Sequence, residues 1–234
     1  MLAPRDRLIL ALDVPSVAAA TALVEQLGDA VSFYKIGYQL AFAGGLAFAE
    51  TLVRADKRVF LDLKLHDIPN TVAGAVRSAG RAGASLLNVH AGGGEKMMRA
   101  AVQASNTPGA PRLLAVTVLT SMDAAELAGV GVPDAPVTQV LRLARLAQTA
   151  GIDGLVCSAE EVAAVREVMG PNALLVTPGI RPAGADVNDQ SRVVTPAAAI
   201  AAGASMLVVG RPITQAADPA QVTAAILEEI ANAT

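Results

Sequence analysis

Eight short apolar runs alternate with alanine-rich segments of helical spacing, and this pattern predicts an α/β fold, the (β/α)8 or TIM barrel. The first and last runs end near residues 13 and 210, so the seven intervals average about 28 residues, the length of a strand–helix–strand step. The runs are apolar almost throughout, as parallel strands buried on both faces usually are. No change in composition marks a linker, so residues 1–234 are expected to form a single domain.

Most of the predicted strands are followed in the sequence by a helical segment. They cover residues 8–13, 33–37, 59–64, 85–90, 113–120, 154–158, 174–179 and 206–211. Four helical segments begin with a side chain suited to capping the first turn. These caps are Ser16, Ser158 with Glu161, Thr195 before Pro196, and Asp218 before Pro219. Gly28 and Gly203 are placed to end the first and third of these helices.

A doubly wound open sheet is the alternative fold, and the two folds differ in where functional residues collect. An open sheet concentrates them at one switch point, whereas a barrel collects them in a ring at the carboxyl ends of all strands. Polar or special residues end nearly every run. They are Asp13, Lys35, Asp62 with Lys64, His90, Thr120, Pro178 with Arg181, and Gly210 with Arg211. This spread favours the barrel.

Composition narrows the class of protein. Hydrophobic residues make up 53% and charged residues 17% of the chain, which favours a large buried core over disorder. The net charge of −3, without a basic block, gives no sign of nucleic-acid binding. No apolar run reaches the roughly 18 residues that a membrane span needs, and the first residues lack the features of a signal peptide. The single cysteine, Cys157, suits a reducing compartment, so a soluble cytoplasmic protein is expected.

Charged residues interrupt the third run, in the segment FLDLKLHDIPNTV at residues 60–72. Strand alternation places Asp62 and Lys64 on the same face, toward the barrel interior. The same alternation could bring Asp13 and Lys35 to the inner mouth on the two preceding strands. A structural ion-pair network is one interpretation of these charges. Four charges that converge on the catalytic face of a barrel favour a functional site instead.

Such an array favours a particular chemistry for Lys64. Flanking carboxylates stabilise the ammonium form, which is a poor Schiff-base nucleophile but a good proton donor and a fixed positive charge. This predicts carbanion chemistry without an imine. No HExxH, CxxC or clustered acidic set indicates a metal site, so neither a metal nor a cofactor is expected.

The last two loops predict a phosphate site. Residues 177–190 supply Arg181 and Gln190, and residues 208–214 supply Gly210 and Arg211. Barrels of this fold often bind phosphate in the loops after strands seven and eight, and guanidinium groups suit phosphate as bidentate donors. Either arginine alone would be typical of a solvated surface charge; the combination indicates a site.

The segment LDLKLHDIPNT resembles the DxKxxDIPNT signature of the orotidine 5′-monophosphate decarboxylase family. Seven further blocks resemble the same family in the same order along the chain. They are LALD at 10–13, YKIG at 34–37, NVHA at 88–91, VTVLTSMD at 116–123, PGIRP at 178–182, DQSRVVTP at 189–196 and VVGRPIT at 208–214. The resemblance therefore runs along the whole chain.

The resemblance implies a role for each matching residue. Lys64 would protonate C6 of the pyrimidine, held between Asp62 and Asp67, with Lys35 also in the catalytic group. Asp67 and Thr71 would reach into the site of the partner subunit in a homodimer. The implied contacts to the ribose are Asp13 and Lys35, and those to the pyrimidine are Thr120 and Ser121. The implied phosphate contacts are Arg181, Gln190, Gly210 and Arg211. Gln190 would also reach the base, and Pro178 belongs to the same binding set.

The implied activity is cofactor-independent decarboxylation of orotidine 5′-monophosphate (OMP) to UMP and CO2, in pyrimidine biosynthesis. Three alternatives stay open at this point. One is a Mg²⁺-dependent sugar-phosphate decarboxylase or aldolase of the same superfamily, against which the IPNT and LTSMD blocks argue. The second is a Schiff-base aldolase on the same fold. The third is a non-catalytic phosphate-binding protein, which would not need the array of Asp62, Lys64 and Asp67.

Overall fold

The computed structural model describes residues 2–182 and 194–233, and its eight strands close into one parallel barrel in sequence order. Each strand pairs with the next, and β8 pairs with β1, where Val208 stands opposite Ile9. The strands are β1 Leu8–Ala11, β2 Phe33–Ile36, β3 Arg58–Leu65, β4 Leu86–His90, β5 Arg112–Val116, β6 Gly154–Val156, β7 Leu174–Thr177 and β8 Met206–Val209. The predicted (β/α)8 barrel is confirmed.

Helices surround the barrel and fill the connections between its strands. They are α1 Pro4–Arg7, α2 Val17–Leu27, α3 Tyr38–Leu40, α4 Leu46–Arg54, α5 Pro69–Arg81, α6 Gly94–Ser105, α7 Ala124–Gly129, α8 Pro136–Ala150, α9 Val162–Met169, α10 Pro196–Ala201, α11 Arg211–Thr214 and α12 Pro219–Asn232. A π-helical turn, Ala41–Gly45, joins α3 to α4. In the described part of the chain, no helix is both long enough and apolar enough to cross a membrane.

Three of the four predicted helix caps are formed. Ser16 Oγ accepts the N–H of Ala19 at 3.2 Å, and the side chains of Thr195 and Asp218 cap α10 and α12 in the same way. The prediction for Ser158 was wrong in position, because α9 begins only at Val162. Glu161 does accept the N–H of Ser158, at 3.0 Å, so the carboxylate stabilises a turn that precedes the helix.

Apolar side chains form two separate cores, one on each side of the sheet. The smaller core fills the barrel and includes Phe33 and Phe60. The larger core lies between the strands and the surrounding helices. Strand alternation explains the division, since Phe60 points into the barrel while Val59 and Leu61 point toward the helices. The interior core lies directly beneath the charged residues at the mouth of the barrel.

Several strands end earlier than the sequence predicted. β5 ends at Val116, although the apolar run continues to residue 120. β1 ends at Ala11, two residues before Asp13. Apolar content identifies buried chain, but it does not show where ladder hydrogen bonds stop and the chain turns over the barrel mouth.

Gly154 is a point of close backbone contact, and we expect Gly154→Ala to destabilise the barrel. A Cβ atom there would overlap the main-chain carbonyl of Leu174 on β7, which is opposite Gly154 in the ladder. The free energy of unfolding should fall by about 1–3 kcal/mol, as overpacking usually costs. Chemical denaturation measures this change. Gly129→Ala is the control, because nothing lies within 4 Å of an added Cβ there; equal stability of the two variants would contradict the prediction.

Candidate active site

One large cavity opens at the carboxyl ends of the strands, with a volume of about 760 Å³. Ala11, Phe60 and Val208 from the interior core lie at its base. Many of the residues that the sequence predicted for the site line it. They are Asp13, Lys35, Asp62, Lys64, Thr120, Pro178, Arg181, Gly210 and Arg211. The barrel therefore brings residues from the ends of six strands to one space, as the ring of strand ends predicted.

Four charged side chains form a chain of alternating sign on one wall of this cavity. Lys35 Nζ lies 3.1 Å from Asp13 Oδ1 and 3.1 Å from Asp62 Oδ2. Lys64 Nζ lies 2.7 Å from Asp62 Oδ1. Each inner member thus contacts two opposite charges. The contacts that the sequence predicted from strand order are present.

Burial affects the two inner members of this array most. Burial lowers the pKa of Lys35, but the charges of Asp62 and Asp13 outweigh it, so the pKa ends above its ordinary value. Burial raises the pKa of Asp62, but Lys35, Lys64 and a hydrogen bond from Asn88 outweigh it and bring the pKa below its ordinary value. Both groups are therefore charged at neutral pH.

Lys64 does not continue a regular strand, contrary to the simple alternation used for the prediction. Its φ of 44° lies in the left-handed region, which costs a residue with a Cβ about 1–2 kcal/mol. Leu61 pairs with Leu87 and Leu65 with Val89, so three residues of β3 face one residue of β4. This bulge turns Lys64 toward the cavity mouth.

Two side chains hold the peptide unit between Leu63 and Lys64. The Lys64 N–H donates to Asn88 Oδ1 at 2.7 Å, and the Tyr38 hydroxyl donates to the Leu63 carbonyl at 2.8 Å. Asn88 Nδ2 also donates to Asp62 Oδ1 at 2.7 Å. Sequence reasoning assigned no role to Asn88 or Tyr38. The polar Asn88 within an apolar run was the signal that could have identified it.

Gly37 is a third residue for which the sequence predicted no role. A Cβ there would lie 2.9 Å from both Asp13 Oδ1 and Lys35 Nζ, so only glycine leaves their contact undisturbed. Gln39 and Gln215 also line the cavity and were not predicted. The glycine that ends the YKIG block was visible in the sequence, but its closeness to the ion pair depends on the path of the chain after β2.

The predicted phosphate residues lie on the opposite side of the mouth from β3. Arg181 is buried, and its Nη1 donates to the Ile180 carbonyl at 2.9 Å. Its main-chain N–H donates to the Val194 carbonyl at 3.0 Å. Arg211 begins α11 directly after Gly210. Gln190 lies outside the described residues.

Three predicted site residues do not line the cavity of their own chain. Asp67 is exposed, and its Oδ1 accepts the N–H of Ile68 at 2.6 Å. Thr71 is exposed in the first turn of α5, and Ser121 is exposed just beyond Thr120. The structure thus separates Asp67 from Lys64, although only two residues stand between them in the sequence.

The remaining histidines and the cysteine of the described residues lie apart from the charge array. Among the described residues, no group of three or more His, Cys, Asp or Glu side chains is arranged to hold a metal ion. The rings of His66 and His90 lie 5.6 Å apart, and burial together with His66 and Lys64 lowers the pKa of His90. Burial and Glu161 raise the pKa of Cys157 to about 12, so its side chain is a neutral thiol.

Comparison with known proteins agrees with this geometry. A sequence model of the orotidine 5'-phosphate decarboxylase / HUMPS family matches residues 6–226. Orotidine 5'-phosphate decarboxylase of Rhodopseudomonas palustris (strain BisB5) is 59% identical over 232 residues, 99% of this chain and 97% of that protein. The enzyme of the same name from Methylobacterium nodulans is 58% identical, covering 98% of both chains.

Solved structures lead to the same family. The crystal structure of orotidine 5'-phosphate decarboxylase from Lactobacillus acidophilus matches with a TM-score of 0.85 and 37% identity, over 95% of this chain and 98% of that one. The matches in sequence and in structure both span almost the full length. This chain belongs to the orotidine 5'-phosphate decarboxylase / HUMPS family.

Proposed function

We propose that this protein decarboxylates OMP to UMP and CO2 in pyrimidine biosynthesis, without a metal or organic cofactor. The observation that carries the proposal is the chain of alternating charges that ends with the Lys64 ammonium at the cavity mouth. Relatives at 57–59% identity are named for the same activity. None of those relatives is named as a sugar-phosphate enzyme, so the Mg²⁺-dependent alternative is not supported.

The proposed reaction breaks the bond between C6 of the pyrimidine and its carboxylate carbon. CO2 leaves, and the electron pair of the broken bond stays on C6 as a carbanion. The Lys64 ammonium stabilises that charge and then transfers a proton to C6, which completes UMP. Lys64 becomes a neutral amine and regains its proton from solvent. Asp62 orients the ammonium and lies beside the departing carboxylate.

The remaining lining residues are proposed to bind the rest of the nucleotide. Asp13 and Lys35 contact the ribose hydroxyls, and Thr120 with Ser121 contacts the pyrimidine. Arg181, Gln190, Gly210 and Arg211 bind the phosphate, with Pro178 beside them and Gln190 also reaching the base. The support is the position of the two arginines across the mouth from Lys64. Binding energy from a distant phosphate can then be used to order the reacting groups.

A homodimer with shared sites is proposed as the active form. Asp67 and Thr71 are exposed and lie outside the cavity of their own chain, so a partner subunit could receive them. Large apolar side chains are exposed on nearby segments, which supports an interface there. They are Tyr38, Phe42, Leu46 and Ile68, with the Tyr38 and Phe42 rings stacked at 6.2 Å. A two-fold axis would make the exchange of Asp67 reciprocal.

Two broader proposals accompany the activity. The whole chain, residues 1–234, is proposed to act as one barrel domain, supported by strand pairing that closes β1 onto β8. The protein is proposed to work in the cytoplasm. Its single cysteine, buried as a neutral thiol, suits a reducing compartment.

Purified protein is expected to consume OMP with no added metal, because the charge array supplies both the positive charge and the proton. Loss of OMP absorbance measures turnover, with and without EDTA. Loss of activity in EDTA, followed by its recovery when Mg²⁺ is added, would contradict the metal-independent mechanism. Trapping of the protein by borohydride in the presence of substrate would indicate an imine and contradict proton donation by Lys64.

Lys64→Ala is expected to lower kcat by at least about 10²–10⁴-fold, the usual contribution of general acid–base catalysis. The fold should persist, since Lys64 lies at the mouth and outside both cores. Steady-state kinetics and thermal unfolding check both expectations. Lys96→Ala on the exposed face of α6 is the control and should match wild type. A folded Lys64→Ala protein with more than about a tenth of wild-type kcat would exclude Lys64 as the proton donor.

Mixing inactive variants tests the shared site. Lys64→Ala and Asp67→Ala homodimers should both be nearly inactive, because every site lacks one residue. After subunit exchange, half the dimers are mixed and half of their sites are whole, so about one quarter of wild-type activity should return. Exchange of differently tagged subunits is verified separately.

The control for this experiment is a mixture of Lys64→Ala with Asp62→Ala. Both residues belong to the cavity of one chain, so no mixed dimer contains a whole site and activity should stay low. No recovery in the test mixture after verified exchange would place Asp67 in the site of its own subunit. Recovery in the control mixture would show that regained activity does not report the sharing of Asp67, and would contradict the placement of Lys64 and Asp62 in one site.

A further inference from the structure

The peptide unit between Leu63 and Lys64 is held by side chains where a regular strand would use its ladder. The bulge in β3 removes that unit from register with β4. Asn88, on β4, binds its N–H side, and Tyr38, which follows β2, binds its carbonyl side. The unit therefore has a partner from each neighbouring strand segment, although neither partner is a main-chain group.

The orientation of the Asn88 amide follows from its partners. The Lys64 N–H is a donor and faces the amide oxygen, whereas the ionised Asp62 carboxylate can only accept and faces the amide nitrogen. Asn88 has 0% exposed surface, so water cannot take over either contact. One side chain thus connects the main chain of Lys64 to the carboxylate that pairs with the Lys64 ammonium.

We infer that Asn88 positions Lys64 and Asp62 for the proton transfer without touching the substrate, and that Tyr38, which lines the cavity, holds the other side of the same peptide unit. This inference rests on the proposed function of Lys64 as the proton donor. Asn88 is absent from the cavity lining, so its effect passes through the two residues that it holds. Without it, the left-handed conformation of Lys64 loses a partly buried hydrogen bond, and Asp62 Oδ1 loses a donor. A displacement of about 1 Å in a reacting group can cost roughly 10²-fold in rate.

Asn88→Asp distinguishes a positioning role from a purely structural one, because only the positioning role predicts a kcat that depends on the charge of the introduced group. When neutral, the introduced carboxyl group can accept from Lys64 and donate to Asp62, as the amide does. When ionised, it repels Asp62. Burial and Asp62 should raise the pKa of the introduced group above the usual range for aspartate. Relative to wild type, kcat should be near normal at acidic pH and fall by about 10²-fold as pH rises through that raised pKa.

Other titrating groups near Asn88 are shared with wild type, so kcat is normalised to wild type at each pH. These groups are Asp62, Lys64 and His66 on or after β3, Lys35 on β2, and His90 two residues further along β4; β5 places the apolar Leu114 opposite Asn88. Melting temperatures across the same pH range separate loss of rate from loss of fold. Thr223→Val, at a fully buried polar position in α12, is the control and should keep the wild-type pH profile.

A folded Asn88→Asp protein whose normalised kcat does not change with pH would overturn the inference. If that variant does not fold even at acidic pH, Tyr38→Phe carries the test, since its exposed ring remains and only the hydroxyl is removed. Its kcat should fall about threefold with KM little changed, as for a lost partly exposed hydrogen bond. An unchanged kcat would then overturn the inference. Turnover by wild type tests the proposed function separately.

Discussion

The carboxylate of Asp62 receives three hydrogen-bonded or ionic contacts, and the arrangement of the barrel mouth depends on them. Lys35 approaches one oxygen, while Lys64 and Asn88 approach the other. These partners come from β2, from β3 itself and from β4. Only 13% of the Asp62 side chain is exposed, so its loss would leave two cations facing each other with little solvent between them. The negative charge is what allows two lysines to share one wall.

Apolar packing below the mouth gives this charge array its fixed base. Phe33 and Phe60 fill the barrel beneath Lys35 and Asp62, each two residues earlier on the same strand. Residues two apart on a strand share a face, so the aromatic rings and the charged side chains all point into the barrel. The change from aromatic to charged thus occurs between adjacent inward-facing positions of each strand. Gly37 then leaves room above the ion pair of Lys35 and Asp13. The charged side chains therefore rest on packed aromatic rings and cannot move into the barrel interior.

The sequence predicted the parts of the molecule that depend on periodicity, and it missed the parts that depend on exceptions to it. Apolar runs located all eight strands, and their polar ends located all the charged residues that line the cavity. The bulge at Lys64 could not be predicted, because no glycine or proline marks it and it is stabilised by Asn88 from another strand. The late start of α9 has a similar cause, since Glu161 stabilises a turn with the spacing expected of a helix cap.

The two halves of the cavity are built by strand pairings that differ in the sequence separation of their partners. The four charges lie on β1 to β3, whose pairings need only short loops to close. The pairing of β1 with β8 joins Ile9 to Val208, about 200 residues apart, and loop-closure entropy makes such distant contacts form late. The arginines after β7 and β8 reach the cavity only with that closure. The two sides of the cavity thus depend on strand pairings of very different sequence separation.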